Sequence, residues 1–103
     1  MTGANSLSDT FGPGVQTAER FERAWRKLPQ NIQHVVQAKV TLLVANPRHP
    51  SLHIHQLQRT REAVWVCYIS VTYRLLYQRR DATLLLCDIG GHTVVDRAHL
   101  RGR

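Results

Sequence analysis

The stretch VWVCYISVTYRLLYQRRDATLLLCDIGGHTVVD, from Val64 to Asp96, decides how this chain is read. It divides into three apolar runs, Val64 to Ser70, Tyr73 to Arg79 and Thr83 to Asp88, rich in the β-branched and aromatic residues that favour strands. The connections are short, with Asp81-Ala82 at one turn, and strands joined so closely pair antiparallel. One arginine, Arg74, stands in the middle run between Tyr73 and Tyr77. A cation in a strand requires an anion or a set of hydrogen-bond acceptors. A histidine, His92, follows the last run just after Gly90-Gly91.

Working towards the N-terminus, Leu52 to Leu57 alternates Leu52 and Ile54 against His53 and His55, which predicts a short, half-buried strand. The segment before it, Asn46 to Ser51, is a loop by its prolines. A helix is expected from Pro29 to Ala45, with Ile32, Val35, Val36, Val40 and Leu43 on one face. Another begins near Thr17, where Phe21, Ala24, Trp25 and Leu28 recur at helical spacing. Glu19 and Glu22 fall early in it and Arg26 and Lys27 late, as the helix dipole favours. The short break at Pro29 predicts an antiparallel helical hairpin. Residues 1 to 15, rich in Gly, Ser, Asn and Pro, read as a flexible tail, and Thr93 to Arg101 as a short terminal helix. The expected architecture is α+β: one domain, residues 16–103, with an N-terminal helical hairpin on a four-stranded, mainly antiparallel sheet and a short C-terminal helix.

Composition narrows the function. At 103 residues and 43% hydrophobic, the chain suits one small core. No apolar run is long enough to span a bilayer, and no secretory signal or membrane partner is expected. Cys67 and Cys87 each lie inside an apolar run without metal or redox spacing, so they read as buried hydrophobes in a reducing, cytoplasmic setting. Fourteen Lys and Arg against seven Asp and Glu give a net charge of +7, the footprint of a polyanion binder. Only Lys27 and Lys39 are lysines, and arginine favours bidentate phosphate contacts. An acidic protein partner would suit the same charge.

Two histidines flanking an arginine are the parts for metal-free RNA cleavage. One group takes the 2′-hydroxyl proton, one protonates the 5′-oxygen, and the cation stabilises the phosphorane. His55, Arg74 and His92 are the residues placed for it. Acid–base transfer is worth about 10²–10⁴-fold per group, and a preorganised cation adds a comparable electrostatic gain. Each has a structural alternative. Arg74 could pair with Asp88 or Asp81, His92 could serve the turn, and His53 and His55 could be solvated. His49 and His99 read as surface residues. His53 and His55 share a strand face, but no Cys or carboxylate is placed to complete a metal site, so none is expected.

The order αα then four strands, with YRLLYQ in the penultimate strand and DIGGH ending the last, resembles the RelE/ParE superfamily of bacterial toxins from about Phe21 to His99. The ribosome-dependent mRNA endonuclease branch, and within it the YoeB and YafQ types, is the nearest likeness. The resemblance implies a phosphate-stabilising role for Arg74, a general acid at His92 and a general base at His55. If the chain binds RNA, the cation- and histidine-rich sheet half is expected to supply the contacts, from the basic and aromatic positions Arg48, His53, Arg59, Arg61, Tyr68 and Arg79. No cofactor is implied. The implied partners are a cognate antitoxin, in a possible hetero-oligomer, and the ribosome with its mRNA. Departures are visible: Tyr68 stands where the YafQ type has a histidine and Thr72 where it has an acid. Trp65 and Cys67 stand at RelE-type lysines, and Thr93 and Asp96 where aromatics are common. A ParE-like inhibitor of DNA gyrase would share the fold and the arginine but needs no histidine pair. An inactive basic module needs neither.

Overall fold

A computed structural model describes residues 7–58 and 60–101. The chain opens with α1 (Ser8–Phe11) and β1 (Val15–Thr17), followed by α2 (Glu19–Arg26) and α3 (Gln30–Ala45). A 3-10 turn at Pro50–Leu52 leads to β2 (His55–Gln56), then β3 (Trp65–Tyr68), β4 (Arg74–Arg80), β5 (Thr83–Gly90) and α4 (His92–Arg101). The strands form one sheet in the order β1-β5-β4-β3-β2. The β5-β4-β3-β2 pairs are antiparallel and β1 lies parallel to β5.

The α+β class, the helical region on the sheet and the terminal helix match the sequence expectation, whereas the strand count does not. The sheet has five strands and is mixed. The fifth, β1, begins at the last residue of the segment read as a tail: Val15 is buried opposite Leu84, and the Gly14 carbonyl accepts the Leu84 N–H at 2.8 Å. Gly12 and Gly14, both at positive φ, turn the chain into this strand at no Cβ cost. Phe11 of α1 packs edge-on against Phe21 and Trp25, at 5.8 and 5.2 Å between ring centroids. Residues 7–15 therefore belong to the fold, while residues 1–6 of the expected tail lie outside the described residues. A three-residue strand with one buried side chain carries no alternation to read, which is why composition pointed elsewhere.

The main core lies between the helices and one sheet face, joining Phe21, Trp25, Val36, Val40 and Leu43 to Cys67, Leu75, Tyr77, Leu86 and Ile89. A smaller core under α4 holds Leu57, Val66, Leu76, Val94 and Ala98. The β4–β5 register shifts between Leu76 and Tyr77, which face Asp88 and Leu86, so Cys87 is bulged out. The bulge resets the alternation of β5, putting Leu86 and Ile89 on the main core and Asp88 on the opposite face. There the fully buried Asp88 carboxylate pairs with Arg97 of α4 at 3.0 Å. The strand expected over Leu52 to Leu57 shrinks to two residues. Leu52 closes the 3-10 turn, and His53 adopts a left-handed conformation at φ +45°. His53 and His55 are therefore not neighbours on one regular strand.

Candidate active site

The sheet register builds the site. Arg74, the first residue of β4, lies between Tyr68 of β3 and Gly90 of β5. Its Nη1 donates to the carbonyls of Ser70 (2.6 Å), Tyr73 (3.0 Å) and Val71 (3.4 Å), so the β3–β4 turn cradles one edge of the guanidinium. No carboxylate among the described residues pairs with it. Asp88 is taken by Arg97, and Asp81 is exposed in the β4–β5 turn at φ +57°. The ion-pair alternatives for Arg74 are thereby removed. A half-buried guanidinium held by carbonyls on one edge keeps its charge for an external anion.

Tyr68 is the centre of the cluster. The Arg74 guanidinium carbon lies 5.0 Å from its ring centroid and the Lys39 ammonium 5.7 Å. The His53 ring meets it edge-on at 5.4 Å. Lys39 reaches the ring from α3 and also donates to the Ser51 carbonyl at 3.2 Å, fastening the 3-10 turn that presents His53. His49 caps the same turn, its Nδ1 accepting the Ser51 N–H at 3.2 Å.

The two histidines expected to carry protons lie on elements to either side of β4. His92 is exposed as the first residue of α4, two residues past Gly90, the β5 partner of Arg74. It is a helix start rather than a strand end. His55 is exposed on β2, opposite Val66, two residues along β3 from the Tyr68–Arg74 row. Three strand spacings, about 14 Å, separate β2 from β5, and Arg74 lies between them. An in-line displacement calls for a base and an acid on opposite sides of the phosphorus, where the attacking and leaving oxygens lie.

The expected RNA contacts divide. Arg48, His53 and Arg79 line one groove of about 590 Å³, with Trp65 and Tyr77 at its apolar side. Arg61 lines a separate cleft of about 400 Å³ beside Glu62 and Gln78. Arg59 lies outside the described residues. Cys67 is no nucleophile: burial pushes its thiol up to about 11, against the opposing pull of Lys39. Among the described residues no three His, Cys, Asp or Glu side chains converge as metal ligands, and no helix is long and apolar enough to cross a membrane. Lys39 is the one site residue that the sequence reading left unassigned. Its rarity as one of two lysines, set beside the apolar face of α3, was the available signal.

No family model and no curated protein sequence matches the chain. Solved structures do match. YafQ from E. coli shares 16% identity at a TM-score of 0.67, covering 79% of this chain and 94% of that one. A metal-bound toxin from Helicobacter pylori shares 22% at 0.68, over 78% and 94%. The archaeal RelE in its RelE–RelB complex from Pyrococcus horikoshii shares 15% at 0.62, over 75% and 91%. YafQ is also matched in its toxin–antitoxin complex with DinJ, at 15% identity and a TM-score of 0.66. At these identities the likeness is one of fold.

Proposed function

We propose that this chain, which has the fold of the RelE-superfamily toxins, is the toxin of a type II toxin–antitoxin pair and cleaves mRNA on the ribosome in the cytoplasm. The observation that carries the reading is the Arg74 guanidinium, unpaired by any described carboxylate, with His55 and His92 exposed on the elements to either side of its strand. In the proposed reaction His55 accepts the 2′-hydroxyl proton and the 2′-oxygen attacks the adjacent phosphorus. Arg74 stabilises the charge that develops on the non-bridging oxygens. His92 gives a proton to the departing 5′-oxygen, leaving a 2′,3′-cyclic phosphate and a 5′-hydroxyl. The net charge of +7 suits entry into an RNA-lined site. A cognate antitoxin is inferred as partner because the fold's neighbours YafQ and RelE were crystallised with DinJ and RelB.

The test is a primer-extension map of transcripts after induction, for the parent and for His92→Ala and Arg74→Lys. The parent should cut within translated frames. His92→Ala should cut no message while staying folded, since an exposed imidazole at a helix start contributes little to packing. Arg74→Lys should lose about 10²–10³ in rate, because an ammonium cannot present the planar fork that grips two phosphate oxygens. Growth arrest with intact transcripts would sink the nuclease reading and favour a gyrase binder.

A further inference from the structure

We infer that Lys39, Tyr68 and His53 form a second phosphate site beside Arg74, holding a phosphate that neighbours the scissile one. The inference rests on the proposed function only for the identity of the polyanion. Three groups able to carry positive charge converge on one phenol ring: Arg74 at 5.0 Å, Lys39 at 5.7 Å and the His53 ring at 5.4 Å. None of the three makes an ion pair among the described residues, whose pairs are Arg23–Glu19, Arg26–Glu22, Arg80–Glu62 and Arg97–Asp88. Two like charges separated by a single phenol, with no carboxylate between them, leave an attraction for anions that the protein does not itself satisfy. The Lys39 ammonium has three donors and gives one to the Ser51 carbonyl, so donors remain for an oxyanion.

His53 strengthens the assignment. It is exposed and held in the left-handed region, uncommon for a side chain with a Cβ, at the end of a turn fastened by Lys39 and His49. The same residue lines the groove that continues past Trp65 to Arg48 and Arg79. A strand seated on Arg74 would thus meet Lys39 and His53 before that groove. The structural alternative for Lys39 is a strut that only holds the 3-10 turn. Glutamine at this position retains a donor for the Ser51 carbonyl and removes the charge.

The experiment titrates the full chain with a short single-stranded DNA, which lacks the 2′-hydroxyl and binds without being cut, over a range of salt. Lys39→Gln should weaken binding about ten-fold at low salt and reduce the slope of log K against log salt by about 0.7, the loss of one phosphate contact. Lys39→Arg should restore both, and the unfolding temperature should hold in each variant. In the parent the His53 ring resonances should move on addition of DNA. An unchanged salt slope in Lys39→Gln, or a loss that Lys39→Arg fails to restore, overturns the site. So does a parent in which only an acidic peptide, and not DNA, moves the His53 ring. DNA binding with the expected slope change in a protein that never cuts ribosome-bound message would instead refute the nuclease and leave this site standing.

Discussion

Asp88 of β5 and Arg97 of α4 join side chain to side chain at 3.0 Å, with the carboxylate fully buried and the guanidinium partly in solvent. The other Asp88 oxygen accepts the Ile89 N–H at 2.9 Å. The pair spans the Gly90-Gly91 break and fixes α4, whose first residue is His92, against the strand that carries the partner of Arg74. Asp88→Asn should lower stability by about 1–3 kcal/mol, since a buried charge-assisted hydrogen bond is weakened and Arg97 loses its counter-charge. Urea unfolding measures the loss. If α4 is what places His92, cleavage at full folding should fall as well. Parental stability in the Asp88→Asn variant would show the pair to be idle.

Gly90 is needed for close packing rather than for a turn. A Cβ built on it would lie 2.7 Å from Val94 Cγ1, whereas one on Gly91 meets only the Thr72 carbonyl at 3.6 Å. Gly90→Ala should therefore push α4 off the sheet and cost about 1–3 kcal/mol, with cleavage falling further than stability alone explains. Gly91→Ala should be tolerated in both assays. Equal behaviour of the two variants in thermal unfolding would contradict this account.

Alkaline pH should destabilise the protein through Cys67. Its folded-state pKa, raised by burial from 9.0 to about 11, lies above the unfolded value. The folded state thus binds more protons than the unfolded one between these limits. Stability is undiminished below pH 9, falls as pH rises towards 11 and levels beyond, a loss of about 2–3 kcal/mol. Burial also raises the Tyr77 phenol, partly offset by Arg79, so that group adds to the slope above pH 10. Denaturant midpoints measured from pH 8 to pH 11 should fall in the parent and fall less in Cys67→Ala. A parent whose midpoint is flat over that range would refute the shift.

Phe11 tests the N-terminal segment. Its ring is half-buried against Phe21 and Trp25, so Phe11→Ala should cost about 1–2 kcal/mol of unfolding free energy. A true tail would give no change in midpoint.

Much of the architecture was legible because it is written in local pattern. Helical spacing placed Phe21 and Trp25 on one helix face and Val36, Val40 and Leu43 on the next, and all five are buried. The three apolar runs became β3, β4 and β5 with ends shifted by one or two residues. Arg74 stood out because a cation inside a strand run conflicts with burial, and such a conflict is visible in one dimension.

What the tertiary structure alone decided depends on contacts between residues distant in sequence. β1 exists because β5 offers a free edge and Gly14 turns the chain onto it; Val15-Gln16-Thr17 has no pattern of its own. The bulge at Cys87 moves Asp88 to the α4 face, so the carboxylate that sequence offered to Arg74 belongs to Arg97 instead. Lys39 and Tyr68 are far apart in the chain, and only the packing of α3 beside β3 brings an ammonium to that ring. Periodicity reports which way a side chain faces relative to its own element, a short-range property of the backbone. Which charges meet across elements is set by register and packing, and no single segment of the sequence contains it.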